Sequence, residues 1–132
     1  MKTNIVTIVI TASILVLSSG CVAPVILLGA GAAGGAGTYA YVNGEVTAVV
    51  SASMDHAWGA TLAAMKELEF PVLSQAKDSL QGQLTAHNAS GKKVTIKVKK
   101  VSDQATEIHI RVGTFGDEAL SHVILGKIQK QI

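Results

Sequence analysis

Residues 80–112 read LQGQLTAHNASGKKVTIKVKKVSDQATEIHIRV, three runs in which every second residue is apolar or small. Leu80, Gly82, Leu84 and Ala86 alternate with Gln81, Gln83, Thr85 and His87. Val94, Ile96 and Val98 alternate with Thr95, Lys97 and Lys99, and Ile108, Ile110 and Val112 with Glu107, His109 and Arg111. Side chains on a strand point alternately to its two faces, so a period of two puts one set in a core and the other in water. Asn88 to Gly91 and Ser102 to Gln104 supply turn-forming residues between the runs. Together they describe an antiparallel meander with one buried and one wet face.

Working outward, Phe70 to Ala76 is a further strand, with Pro71 near its start favouring an edge position. Glu45 to Val50 alternates too, with Val46, Ala48 and Val50 on one side. Between them Met54, Trp58, Leu62, Met65 and Leu68 recur at helical spacing. Ser51 and Ser53 are candidate N-caps, and Asp55 suits the positive end of that helix. Pro71 ends it near Glu69. Trp58 reads as a core anchor in preference to a ligand-stacking residue. Gly116 and Asp117 open a last helix, with Asp117 as its cap and Leu120, Val123, Ile124 and Ile128 as its apolar stripe. The expected order is β-α-β-β-β-β-α over residues 44–132: an α+β fold of two layers, a single antiparallel sheet with two helices on one face.

The chain before this domain has a different character. Lys2 is followed by the uncharged run Ile5 to Leu17, then by Ser18-Ser19-Gly20-Cys21. A short positive region, an apolar stretch and small residues at a cut describe a secretory signal. A cysteine directly after them fits a bacterial lipobox, although Leu17 stands four places before Cys21 and Ser18 occupies the usual leucine slot. Residues 1–20 are thus expected to be a signal peptide and Cys21 a lipidated N-terminus that anchors the protein in the membrane. Cys21 is the only cysteine, so no internal disulfide competes for it. One acyl chain binds a membrane only marginally, whereas the multiple chains of a mature lipoprotein hold it stably. Val22 follows in place of an aspartate that would suggest inner-membrane retention. The expected location is the outer membrane, facing the periplasm.

Residues 22–42 read VAPVILLGAGAAGGAGTYAYV and carry no charge. Gly29, Gly31 and Gly34 match G-x-G-x-x-G, but the preceding strand and following helix of a dinucleotide site are missing from the pattern. Two readings stay open for the segment 21–43. Glycine makes it a flexible tether. Alternatively, Gly31, Gly34 and Gly35 contribute small-xxx-small pairs that let helices pack closely in a membrane. Tyr39 and Tyr41 suit a membrane interface in either case.

Charge narrows the function classes. The full chain of 132 residues has 11 Lys+Arg and 9 Asp+Glu; without residues 1–20 only Lys2 is lost, leaving 10 against 9, or +1. Such a balance argues against a general nucleic-acid binder, whose affinity rests on basic patches. His56, His87, His109 and His122 show no i, i+4 pairing and no accompanying H-E-x-x-H. No metal site and no cofactor are expected. The serines fall mostly at caps and turns without G-x-S-x-G, and Asp117 and Glu118 are explained as cap and dipole partner. No catalytic constellation emerges. The candidate partner-binding residues are Lys97, Lys99, His109 and Arg111 on the wet face, with Gln81, Gln83 and Thr85 nearby and Lys92, Lys93 and Lys100 at one strand's ends. The bland alternative is a solvated face whose lysines blunt strand association.

The GAGAAGGAG stretch, the run Tyr39-Ala-Tyr-Val-Asn-Gly-Glu and the run Arg111-Val-Gly-Thr-Phe-Gly-Asp-Glu-Ala-Leu-Ser together resemble an uncharacterised domain-of-unknown-function family of short Gram-negative lipoproteins. The resemblance extends from Cys21 onward and is most specific over Gly113 to Ser121. It implies a lipid anchor and a small α+β domain, and it brings no activity or catalytic residue with it. The expected role is non-enzymatic: binding an envelope protein or cell-wall polymer. Self-association through residues 22–42 and a small-ligand pocket between sheet and helices are the alternatives.

Overall fold

The computed structural model describes residues 39–132. Cys21, Gly31, Gly34 and Gly35, the expected signal peptide and residues 22–38 lie outside the described residues. The elements are β1 (Tyr39–Val42), β2 (Glu45–Val50), α1 (Met54–Glu67), β3 (Val72–Lys77), β4 (Gln81–His87), β5 (Lys93–Ser102), β6 (Ala105–Val112) and α2 (Glu118–Gln131). The six strands form one open sheet in the order β1-β2-β6-β5-β4-β3. Every neighbouring pair is antiparallel. The fold is α+β, with the two helices against one face. No helix among the described residues is long and apolar enough to cross a membrane.

The order is therefore β-β-α-β-β-β-β-α, one strand more than the sequence reading. The added strand is β1, in a stretch read as tether or membrane-apposed segment. It pairs with β2 from Tyr39↔Ala48 to Val42↔Glu45. Asn43 and Gly44 form the two-residue turn, with φ of 53° and 81°. Positive φ at both central positions matches the right-handed twist of the flanking strands, which is why Asn-Gly is such a strong hairpin signal.

The alternating residues of the central strands build the core. Val46, Leu84, Val94, Ile96, Val98, Ile108, Ile110 and Val112 have no exposed surface. α1 lies over β4, β5 and β6, α2 lies over β2 and β6, and the two helices touch each other. Met65, Ile124 and Ile128 are fully buried from the helix side. The space between sheet and helices is thus filled by side chains.

The helices approach the sheet through smaller residues than the periodicity suggested. α1 buries Met54, Ala57, Ala60, Thr61, Ala64 and Met65, while Trp58, Leu62 and Leu68 pack part-buried around the edge of the core. Alanines let the helix backbone come close, and the large side chains spread at its flanks. Trp58 covers Gly82, where a β-carbon would stand 2.6 Å from the indole ring; this glycine makes room for the indole. In α2 the buried set is Ser121, Ile124, Leu125 and Ile128, and Val123 is half exposed.

Capping follows ordinary chemistry. Ser53 is the N-cap of α1, its hydroxyl accepting from the His56 amide at 3.3 Å. At the other end Glu69 adopts φ 58°. The amide of Phe70 donates to Met65 and that of Glu69 to Lys66, the paired bonds of a Schellman stop. The helix thus ends before Pro71 through its own cap. Thr106 donates its hydroxyl to the Ala52 carbonyl at 2.8 Å, fastening the β2–α1 connection to β6.

Candidate outward sheet face

The strand registers place the polar set in rows across the uncovered face. Gln83, Lys97, His109 and Thr47 stand side by side on β4, β5, β6 and β2. The next row toward one end holds Thr85, Thr95, Arg111 and Glu45, and the row toward the other holds Gln81, Lys99 and Glu107. Lys97 and Lys99 are exposed; His109 and Arg111 are half-buried. The structure therefore brings Lys97, Lys99, His109 and Arg111 onto one surface, within two residues of each other along β5 and along β6. Gln81, Gln83, Lys97, Lys99 and His109 line a shallow depression of about 350 Å³.

Two glutamates change the character of that surface. His109 Nδ1 lies 2.8 Å from Glu45 Oε1 and 3.2 Å from the Thr47 hydroxyl. Its Nε2 lies 3.4 Å from Glu107 Oε2. Glu107 is also the cross-strand neighbour of Lys99, and Glu45 that of Arg111. Opposite charges in such positions favour the pairing of the strands. The face is mixed, not uniformly basic. Its least compensated cation is Lys97, which stands between Gln83 and His109 with no carboxylate opposite it in the register.

The arrangement around His109 does not converge. The two carboxylates engage opposite nitrogens of one ring and so approach from opposite sides. Among the described residues, no group of three or more His, Cys, Asp or Glu is placed to hold a metal ion. The histidine instead joins β2 to β6 across the wet face.

The remaining singled-out residues are spread apart. His122 rests on Tyr39, ring centres 4.3 Å apart and edge-on, and fixes α2 over β1 on the helix side of the sheet. Asp117 caps α2: its carboxylate accepts from the Leu120 amide at 3.0 Å and pairs with Lys92 at 3.2 Å. The Leu120 amide first, then Lys92, holds that carboxyl below the usual range. Asp78 closes the β3–β4 turn by accepting from the Leu80 and Gln81 amides, which depress its pKa in the same way. Arg111 donates to the Thr114 carbonyl at 3.0 Å, so part of its hydrogen-bonding capacity serves the β6–α2 loop. Glu45 and Glu107 are the site residues the sequence reading passed over. Alternation along β6 alone puts Glu107 beside His109; Glu45 arrives only through the β2–β6 register.

Residues 4–131 match a protein family described as a protein of unknown function (DUF3568). No curated protein matches the sequence.

Proposed function

The chain belongs to this family, whose description names no function, and from the sequence before Cys21 and the uncovered face of the sheet we propose a lipid-anchored envelope protein that binds a partner through its outward sheet face. Cys21, behind its uncharged run and small residues, is the attachment point, placing the domain at the outer membrane on the periplasmic side. Residues 22–38 tether it there. The partner is an envelope protein or a cell-wall polymer.

One observation carries the binding role. Both helices cover the same face, and the opposite face presents exposed Lys97 and Lys99 beside a shallow depression. The space between sheet and helices is filled, so the recesses described are on the surface. A polar face of this size is a common solvated feature of antiparallel sheets; what favours a contact is its uneven charge, with cations gathered on β5 and carboxylates on β2 and β6.

Exchanging Lys97 and Lys99 for glutamate is expected to leave the domain folded with a loss of about 0.2–1 kcal/mol, because both side chains are exposed and the main cost is the like charge set opposite Glu107. It is expected to lower capture of envelope partners at least ten-fold. Capture equal to wild type by a folded double variant would contradict the proposal.

A further inference from the structure

We infer that the end of the sheet bearing the Gly113–Gly116 loop docks on an anionic lipid surface, with Phe115 inserted and Lys92, Lys93 and Arg111 facing phosphate-bearing headgroups. The starting point is Phe115, 90% exposed. A large aromatic side chain left in water is ordinary on a loose loop, but this loop is clamped. Gly113 and Gly116 have φ of 71° and 87°. The backbones of Gly116 and Phe115 lie so close to Gly44 that a β-carbon on either glycine would collide with the other strand turn. The Gly113 amide donates to the Lys93 carbonyl at 2.8 Å, and Arg111 holds the Thr114 carbonyl. A fixed backbone thus presents one phenyl ring outward. Val42, 61% exposed, ends β1 beside the same turn.

Charge surrounds this tip. A recess of about 650 Å³ opens beside it, lined by Lys92, Lys93, Thr95 and Arg111 along with the loop itself. Its lining holds three cations against one carboxylate, Asp117. That carboxylate is the α2 cap and pairs with Lys92. Glu45 neighbours Arg111 in the register, but its carboxylate engages His109. Lys93 makes no ion pair among the described residues.

A phenyl ring flanked by basic residues suits an anionic membrane surface, where the apolar ring enters the headgroup/acyl boundary and the cations meet anionic lipid. Extent favours lipid over a protein partner: Phe115 and Val42 are two exposed apolar side chains, not the broad apolar patch of a protein contact. The inference depends on the lipid anchor only for which membrane is met, and its test dispenses with the anchor.

The test uses the full chain with Cys21→Ser, removing the only native cysteine, and Phe115→Cys carrying an environment-sensitive fluorophore. Vesicles of equal phosphatidylglycerol and phosphatidylcholine are expected to shift its emission to the blue and raise its intensity several-fold. Phosphatidylcholine vesicles are expected to leave it unchanged. A second chain labelled at Gly59→Cys, an exposed position on α1, should not respond. Lys92→Glu with Lys93→Glu should weaken the response at least ten-fold, and Lys97→Glu with Lys99→Glu should leave it within two-fold, which keeps this inference separable from the sheet-face proposal. An unresponsive label at residue 115 on a chain that sediments with the vesicles would overturn it. So would an equal response to both lipids, or a response to envelope proteins and to neither vesicle.

Discussion

Gly116→Val is expected to destabilise the domain by roughly 2–5 kcal/mol, which leaves a large unfolded fraction if the parent lies near the low end of the usual stability range of about 5–15 kcal/mol. Two costs add. Residue 116 has φ 87°, where an L-residue loses about 1–2 kcal/mol and a β-branched one fits worst. The new β-carbon would also meet the Gly44 backbone; forcing extra atoms into a packed contact costs about 1–3 kcal/mol. Gly113→Ala supplies the control. Its φ of 71° imposes the first cost, but nothing lies within 4 Å of a β-carbon there. Urea unfolding of the two variants should differ by about the packing cost, roughly 1–3 kcal/mol; equal midpoints would show that the Gly44–Gly116 approach does not hold the loop.

The second large effect lies in the core. Ile110 has no exposed surface and sits on β6 between Val46 of β2 and Ile96 of β5. Ile110→Ala removes methyl groups from the middle of the sheet, where both neighbours are held by their own strands and cannot close the gap. Such truncations cost about 2–5 kcal/mol. At about 4–8 °C per kcal/mol for a domain of this size, the thermal midpoint should fall by at least about 8 °C. Val101, 59% exposed, is the comparison: Val101→Ala should stay within about 0.5 kcal/mol of the parent. Calorimetry on the pair reads the difference directly.

The alternation over residues 82–112 was legible because each strand has one dry and one wet face, so burial writes itself into the sequence with a period of two; Leu80, read as the start of that dry set, lies in the turn before β4 and is 65% exposed. The last helix was legible in its cap, Asp117, and in most of its stripe, since Ile124 and Ile128 are buried and Leu120 packs against the core. Val123 turns half outward, and Leu125 and Ser121 turn in, since the facing set depends on how the helix is rotated against β2 and β6. In α1 the large residues suggested the stripe, whereas Ala57, Ala60 and Ala64 make the closest approach; small residues carry little weight in a hydropathy pattern although they set the packing distance. β1 was hidden by composition. Its residues continue an uncharged glycine-alanine run, and the local signal that separates them is Asn43-Gly44.

The site shows the same division. Lys97, Lys99, His109 and Arg111 share a face by alternation within two adjoining strands. Glu45 reaches His109 from 64 residues away along the chain, through a strand pairing that no local pattern announces. That long-range register makes the surface mixed in charge and leaves Lys97, on β5, without a carboxylate opposite it.

The central claim is that the outward sheet face, and not the helix side, is the contact surface. It is measured most directly by placing a photoreactive residue at Lys99, on that face, or at Lys66, exposed on α1, and irradiating intact cells. The account predicts a discrete crosslinked adduct from position 99 that position 66 does not give and that Lys97→Glu suppresses. No adduct from position 99, or the same adduct from both positions, would contradict it.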